Sequence, residues 1–287
     1  MKFASFLRDG QASWGQVVGE EGVIDLGRRL GPTFPTLKAF IEAGLPASAL
    51  AGLPAAPDLP LQGLTMLPPV TDPLHIWCLA LNYVDHHAEV QSAGRVQELP
   101  KYPAVFTRTI DTFTGHGQPL RHPGVSEQFD YEGELAVVIG KGGHRIRPED
   151  AFEHVAGYTI LNDGSVRDWQ FHTKQITPGK NFWRSGAIGP WMVTRDEIPD
   201  VDALNIRTTL NGAVLQDDPA GLMVHKIPRF IEYVSSIAPL RPGDILATGT
   251  PSGVGFSRKP PVWMKVGDVC EVAIDRIGVL RNPVAGE

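Results

Sequence analysis

A strand-rich α+β fold, a barrel or roll of short strands with peripheral helices, is what the sequence predicts. Three observations point there. Short runs with β-type alternation, bounded by Gly, Pro, Asn and Asp, recur along the whole chain, whereas few segments carry helical spacing. Turn formers are abundant, with 31 Gly and 25 Pro, which favours many reversals over long helices. Hydrophobic residues make up 42% and charged residues 20% of 287, the balance of a globular chain with a sizeable core.

The first 50 residues alternate the runs "KFASFL", "WGQVVG" and "GVIDL" with turn signals, then offer a helix in "TLKAFIEAG" that closes on Gly44. This predicts a small N-terminal mixed α/β domain over residues 1–65. Its end is "AGLPAAPDLPLQG", residues 51–63, rich in Ala, Pro and Gly and read as a linker. The main domain, 66–287, offers strands in "YPAVFTR", "GELAVVIG", "GYTILND", "GPWMVT", "DILATGT" and "DVCEVAID". "NIRTTLNGAVLQD" reads as a hairpin turning at Asn211-Gly212. Helices are expected in "PEDAFEHVAG", between Pro148 and Gly157, and in "IPRFIEYVSSI".

Net charge is −6, so no basic field attracts nucleic acid or an anionic membrane, and cations are better company. The two cysteines, Cys78 and Cys270, are too few for a disulfide framework and read as buried thiols in a reducing compartment. No apolar run reaches the roughly 18 to 20 residues that span a bilayer, and the N-terminal "MKFASFLRDG" fails as a secretory signal. The expectation is a cytoplasmic protein.

In "FDYEGELAVVIG", residues 129–140, Asp130, Glu132 and Glu134 fall at every second position and the run then turns wholly apolar. On a strand such residues share a face. Carboxylates crowded at a low-dielectric position lose hydration and repel one another unless they are protonated or meet a cation. Two of them with a third oxygen ligand would suit Mg²⁺, Mn²⁺ or Ca²⁺. "GYTILNDGSVRDWQ" offers that third ligand in Asp163, at the end of a strand run, where an Asx-turn role is the competing reading. Ser165 could cap a helical turn that sets Arg167 and Gln170 on one side, with Arg167 as a clamp for a substrate carboxylate.

The stretches "DYEGELAVVIGK", "GYTILNDGSVRDWQ", "GKNFWRSGAIGPWMVT", "GDILATGTPSGVG" and "KVGDVCEVAIDRIGVL" keep the order and spacing of the fumarylacetoacetate hydrolase family, which the chain resembles over residues 76–280. The resemblance implies a mixed β-sandwich roll, a homodimer, and a divalent ion held by Glu132, Glu134 and Asp163. It also implies that Lys180, Arg167 and Gln170 face the substrate and that Thr250 lines the end of the pocket holding a carboxylate. The family's H-x-x-E lid pair falls on His86 and Glu89, one helical turn apart, so that the carboxylate can orient the imidazole. His87 is the competing histidine and is placed on the solvent or packing side. Three departures from the family pattern, Ala80, residues 105–117 and the pair Trp183-Arg184, bear on the substrate rather than on the ion.

The activity this implies is metal-dependent hydrolysis of a carbon–carbon bond in a 2,4-dioxo acid of acylpyruvate or fumarylpyruvate type, in the catabolism of aromatic or sugar acids. Lys180 would stabilise the developing enolate. An isomerase of hydroxymuconate type or an oxaloacetate decarboxylase on the same site is the alternative, and a metal-stabilised binding module is the non-enzymatic one. Other chemistries lack their motifs. No G-x-S-x-G elbow is present, "GKGGHR" lacks the third glycine of a dinucleotide turn, "GTPSGVG" lacks the lysine of a phosphate loop, and the nine histidines show no zinc spacing.

Overall fold

The computed structural model describes residues 1–19, 21–92 and 101–287, with nothing stated of the Ser92 side chain. Among these residues the strands form three sheets and no closed barrel. The large mixed sheet runs in the order Leu59–Pro60, Gly22–Asp25, Gln11–Val18, Lys2–Arg8, Gly186–Thr194, Val155–Asn162, Gly133–Ile139, Ile245–Ala247, Ile76–Ala80 and Ala104–Arg108. A second sheet runs Ala213–Pro219, Asn205–Leu210, Val269–Ile274, Gly278–Gly286, Leu120–His122. Phe129–Asp130 pairs with Ser165–Val166 as a short third ribbon. The expected strand-rich α+β class holds.

The strand Gly133–Ile139 is buried at every position, and the pattern of its side chains explains why. Leu135, Val137 and Ile139 enter a core shared with Ile206, Cys270, Val272 and Leu280 of the second sheet. Ala136 and Val138, on the opposite face, enter another core with Phe3, Trp14, Phe40 and Ile41 from the N-terminal residues. A strand with two packed faces reads as a continuous apolar run, which is what "LAVVI" is.

The N-terminal strands continue the large sheet. Lys2 and Phe3 pair with Val193 and Met192, and Thr65–Leu67 pairs back onto Lys2–Arg8. Within the stretch read as a linker, Leu59–Pro60 pairs with Gly22–Asp25 and the Asp58 carboxylate accepts from Arg29, so this proline-rich segment is partly tied to the sheet. Asp25 is buried and caps the helix Leu26–Leu30 by accepting from the Arg28 amide at 3.0 Å. Its oxygens also accept from Ser13 Oγ and Arg8 Nη1, both at 2.6 Å. Burial opposes its charge, but the bonds from Ser13, Arg8 and Arg28 together hold its carboxyl below the ordinary 3.8. A depressed folded pKa contributes stability that is present above the unfolded value and lost as pH falls through the folded one. Asp25→Asn should therefore lower the unfolding free energy by about 1–2 kcal/mol at pH 7, a deficit that shrinks below pH 3.8. Urea titrations at pH 7 and pH 3 check this, and an equal loss at both would assign the effect to packing instead.

The predicted hairpin turns at Asn211 (φ 53°) and Gly212 (φ 81°), the paired left-handed conformations that suit a two-residue turn between twisted strands. "IPRFIEYVSSI" is the helix Ile227–Ile237, with Ile227, Phe230, Ile231 and Val234 on its buried stripe. Two expectations are corrected. Pro148–His154 is a 3₁₀ helix, and the chain enters the strand Val155–Asn162 directly, so Gly157 lies within the sheet and stops no helix. Ser165 caps nothing. It belongs to the short ribbon, donates to the Asp163 carbonyl at 2.7 Å, and Val166 occupies the position before the helical turn Arg167–Gln170.

Candidate metal centre and active site

Glu132, Glu134 and Asp163 converge where the paired strands Gly133–Ile139 and Val155–Asn162 meet at Gly133 and Asn162, each buried, with one ligand oxygen apiece lying within 4.8 Å of the others. Oxygens on opposite sides of one Mg²⁺, Mn²⁺ or Ca²⁺ stand about 4–5 Å apart, so a single ion is within reach of all three. Local bonding sets the arrangement. The Asn162 side chain accepts from the Glu132 amide at 3.1 Å, and the Asp163 amide donates to the Glu132 carbonyl at 2.8 Å. Gly164 follows because a Cβ there would stand 1.9 Å from the Ser185 carbonyl oxygen.

Asp130, the first acid of the alternating series, departs from the other two. Regular pairing lapses between Phe129–Asp130 and Gly133–Ile139, and Asp130 shares Arg167 with Glu132 across that break. Its carboxylate instead accepts from Arg167 Nε at 2.8 Å and from the Gly255 and Phe256 amides at 2.8 and 3.1 Å. It shapes the site by holding Arg167.

Charge explains what an ion would do here. Lys180 Nζ lies 2.7 Å from both Glu132 Oε2 and Asp163 Oδ2, Arg167 Nη2 stands 2.7 Å from Glu132 Oε1 as an ion pair without hydrogen-bond directionality, and Arg108 Nη1 bonds Asp163 Oδ1. Among the described residues four buried carboxylates thus meet three buried cations, and Glu134 is the acid bonded to a backbone amide, Gly249 N at 2.8 Å, in place of a cation. Burial, then the neighbouring Asp163 and Glu132, push the Glu134 carboxyl well above the usual range. Burial also opposes the Glu132 charge, but Lys180 and Arg167 outweigh it and bring that group to about 2. Burial likewise opposes the Lys180 ammonium, and Asp163 with Glu132 keep its pKa raised. A divalent ion on these oxygens would offset the charge that Glu134 adds, and an all-carboxylate donor set is the chemistry such ions select.

Of the residues expected to act on substrate, His86, Arg167, Gln170, Lys180 and Thr250 line one cavity of about 100 Å³ together with Glu132, while Glu89 stands behind His86 and outside that wall. The remaining wall is largely apolar, with Phe106 facing the Lys180 ammonium and Phe256 facing the Arg167 guanidinium, 5.4 and 4.6 Å from the ring centroids. Gln170 Oε1 accepts from Arg167 Nη1 at 2.9 Å. Thr250 lines the cavity, but its hydroxyl donates to the Gly133 carbonyl at 3.0 Å and accepts from Gln216 at 2.8 Å, so its proton is committed within the protein. Two grooves of about 510 and 620 Å³ lie elsewhere on the surface, and neither gathers buried charged groups.

His86 and Glu89 sit on the helix Val84–Ser92, whose entry is pinned by Asn82. Its side chain donates to the Thr248 and His225 carbonyls at 2.8 and 3.0 Å and accepts from the His225 amide at 2.7 Å. His86 is buried, with Nδ1 3.5 Å from Glu89 Oε2, which leaves Nε2 as the ring nitrogen away from the carboxylate. Glu89 also accepts from the Gly253 amide at 2.9 and 3.0 Å, tying the helix to the loop after the strand Ile245–Ala247. His87 is buried on the same helix and faces away from open solvent.

Arg108 and Phe106 are the residues that the sequence reading passed over. Both belong to the strand Ala104–Arg108, where Phe106 and Arg108 are buried and Thr107 between them is exposed. That alternation was visible as "F-T-R", and an arginine on the apolar side of a strand is the signal that would have found it.

Comparisons with known proteins agree with this geometry. A family model described as fumarylacetoacetate (FAA) hydrolase C-terminal matches residues 75–285. A Xenopus laevis protein named oxaloacetate tautomerase fahd2, mitochondrial, is 40% identical over 270 residues, covering 91% of this chain and 82% of that protein. Oxaloacetate tautomerase YisK of Bacillus subtilis is 44% identical over 211 residues, 73% of this chain and 69% of its own. Among solved structures, a fumarylacetoacetate hydrolase from Exiguobacterium antarcticum superposes over the whole of both chains with a TM-score of 0.82 at 32% identity.

Proposed function

The chain belongs to the fumarylacetoacetate hydrolase family, and from that premise we propose that it is a divalent-metal-dependent tautomerase of a short 2-oxo acid, with oxaloacetate the first substrate to test. The observation that carries this reading is the cavity. Its roughly 100 Å³ is far below the 300–1,000 Å³ of pockets that take larger ligands, so it favours a compact acid over an acylpyruvate with a long distal group. Its wall joins the buried cations Lys180 and Arg167 to a histidine with a carboxylate behind it. Relatives at 40% and 44% identity named as oxaloacetate tautomerases support the same choice.

Glu132, Glu134 and Asp163 would hold Mg²⁺ or Mn²⁺, which when bound polarises the 2-oxo group and lowers the cost of negative charge on its oxygen. Arg167, oriented by Asp130 and Gln170, draws a substrate carboxylate and fixes the acid against the Phe256 wall. His86 Nε2 takes a proton from C3, and Glu89 near Nδ1 stabilises the imidazolium that results. Lys180 supplies a fixed positive charge beside the developing enolate, already desolvated and so strong in its effect. Return of the proton to the C2 oxygen completes the keto-to-enol conversion with no net change in protonation of the protein.

Hydrolysis of a 2,4-dioxo acid, with the same His86 and Glu89 activating water, is the second reading, favoured by the full-length likeness to the Exiguobacterium hydrolase. The two separate in one experiment. Enol oxaloacetate, followed by its ultraviolet absorbance with Mg²⁺ or Mn²⁺ present, should ketonise faster with enzyme, and acylpyruvates should release no pyruvate. Pyruvate release from acylpyruvates, with oxaloacetate unaffected, would replace the tautomerase reading by the hydrolytic one. Pyruvate and carbon dioxide from oxaloacetate would identify decarboxylation on the same site.

A further inference from the structure

Arg108 is buried beneath the three carboxylates and engaged through all three of its guanidinium nitrogens. Nη1 reaches Asp163 Oδ1 at 2.5 Å and the Gly164 carbonyl at 3.2 Å, Nη2 reaches Ser185 Oγ at 2.8 Å and the Thr112 carbonyl at 3.3 Å, and Nε reaches Thr112 Oγ1 at 3.1 Å. Its plane also lies 4.2 Å from the centroid of the Phe113 ring. A planar fork held at so many points has one orientation. Arg108 does not line the cavity, so whatever it contributes passes through Asp163.

Its effect is to make the two Asp163 oxygens unlike. Oδ1 is taken by Arg108, while Oδ2 meets Lys180, whose ammonium also reaches Glu132 Oε2. We propose that Arg108 is a positioning residue of the metal centre, which holds Asp163 turned so that Oδ2 is presented to the ion. The inference rests on reading the three carboxylates as ion ligands and is independent of which substrate is turned over. Lysine cannot substitute, because one ammonium cannot serve Asp163, Ser185 and Thr112 together.

The test is Mn²⁺ binding to the chelator-stripped protein by titration calorimetry, together with the electron paramagnetic resonance spectrum of the bound ion. Arg108→Lys should weaken Mn²⁺ binding by about 10- to 100-fold, the scale on which groups behind metal ligands act, and alter the spectrum. Turnover should return towards the parent rate once Mn²⁺ is saturating, since Arg108 touches no substrate. If Arg108→Lys does not fold, the double variant Thr112→Val with Ser185→Ala keeps the arginine and removes two groups that steer it. That protein should lose affinity by about 3- to 10-fold, the lower end of the same scale. A folded variant of either kind that binds Mn²⁺ as tightly as the parent, with the parent spectrum, overturns the assignment. A parent protein that binds no Mn²⁺ overturns the ion reading beneath it, which is a different result.

Discussion

Glu134→Gln is expected to raise the Mn²⁺ dissociation constant by at least about 100-fold and to reduce turnover in step, while the protein without added metal stays folded. Glu134 is the buried acid of the cluster whose recorded donor is a backbone amide, and burial with its two acidic neighbours disfavours its charge. Glutamine keeps the shape and still accepts from Gly249, so the ion-free fold loses little and sheds a repulsion. The ion loses a full negative charge among its ligands, at a site where water screens poorly. Calorimetric Mn²⁺ titration and thermal unfolding with and without metal check both halves. A variant that binds Mn²⁺ within a few-fold of the parent would remove Glu134 from the ligand set, and one that unfolds without metal would mean that its charge is needed by the fold.

His86→Ala should behave in the opposite sense, with Mn²⁺ affinity unchanged and kcat lowered by about 10²- to 10⁴-fold, the range of a lost general acid–base. The side chain lines the cavity from the helix Val84–Ser92, an element that contributes none of the three acids. Glu89→Gln should fall in the same direction by a smaller factor, since it acts on the imidazole and not on the substrate. Steady-state rates at saturating Mn²⁺ measure this. Undiminished kcat in His86→Ala would sink the proton-transfer role, and unchanged rates in both variants would favour a protein that merely carries an ion.

The contrast between these two variants mirrors what the sequence could tell. The acidic cluster was legible because E-x-E and L-N-D each lie at the end of a strand run, where local pattern decides the geometry. His86 and Glu89 were singled out only through the family resemblance, because a His and a Glu one helical turn apart on a polar segment read by themselves as a surface pair. Arg108 was not, because its partner Asp163 is 55 positions away and only the packed fold brings them together. Asp130 stands beside Glu132 through their shared Arg167, but alternation alone could not show that a guanidinium would take its carboxylate. The hairpin at Asn211-Gly212 and the helix Ile227–Ile237 followed from turn chemistry and a clear apolar stripe. The short segment Pro148–His154 did not, since seven residues leading straight into a strand leave hydrogen bonding, not periodicity, to choose between helix types.

The strand that delivers Glu134 has Phe3, Trp14 and Phe40 pressed against one side and the second sheet against the other. The opening residues of the chain therefore serve as a wall behind the strand of the proposed ion site. Substitutions in that wall would reach the proposed ion site only by moving the strand that carries Glu134. Evolution could adjust this enzyme from behind, without touching a single group that meets substrate.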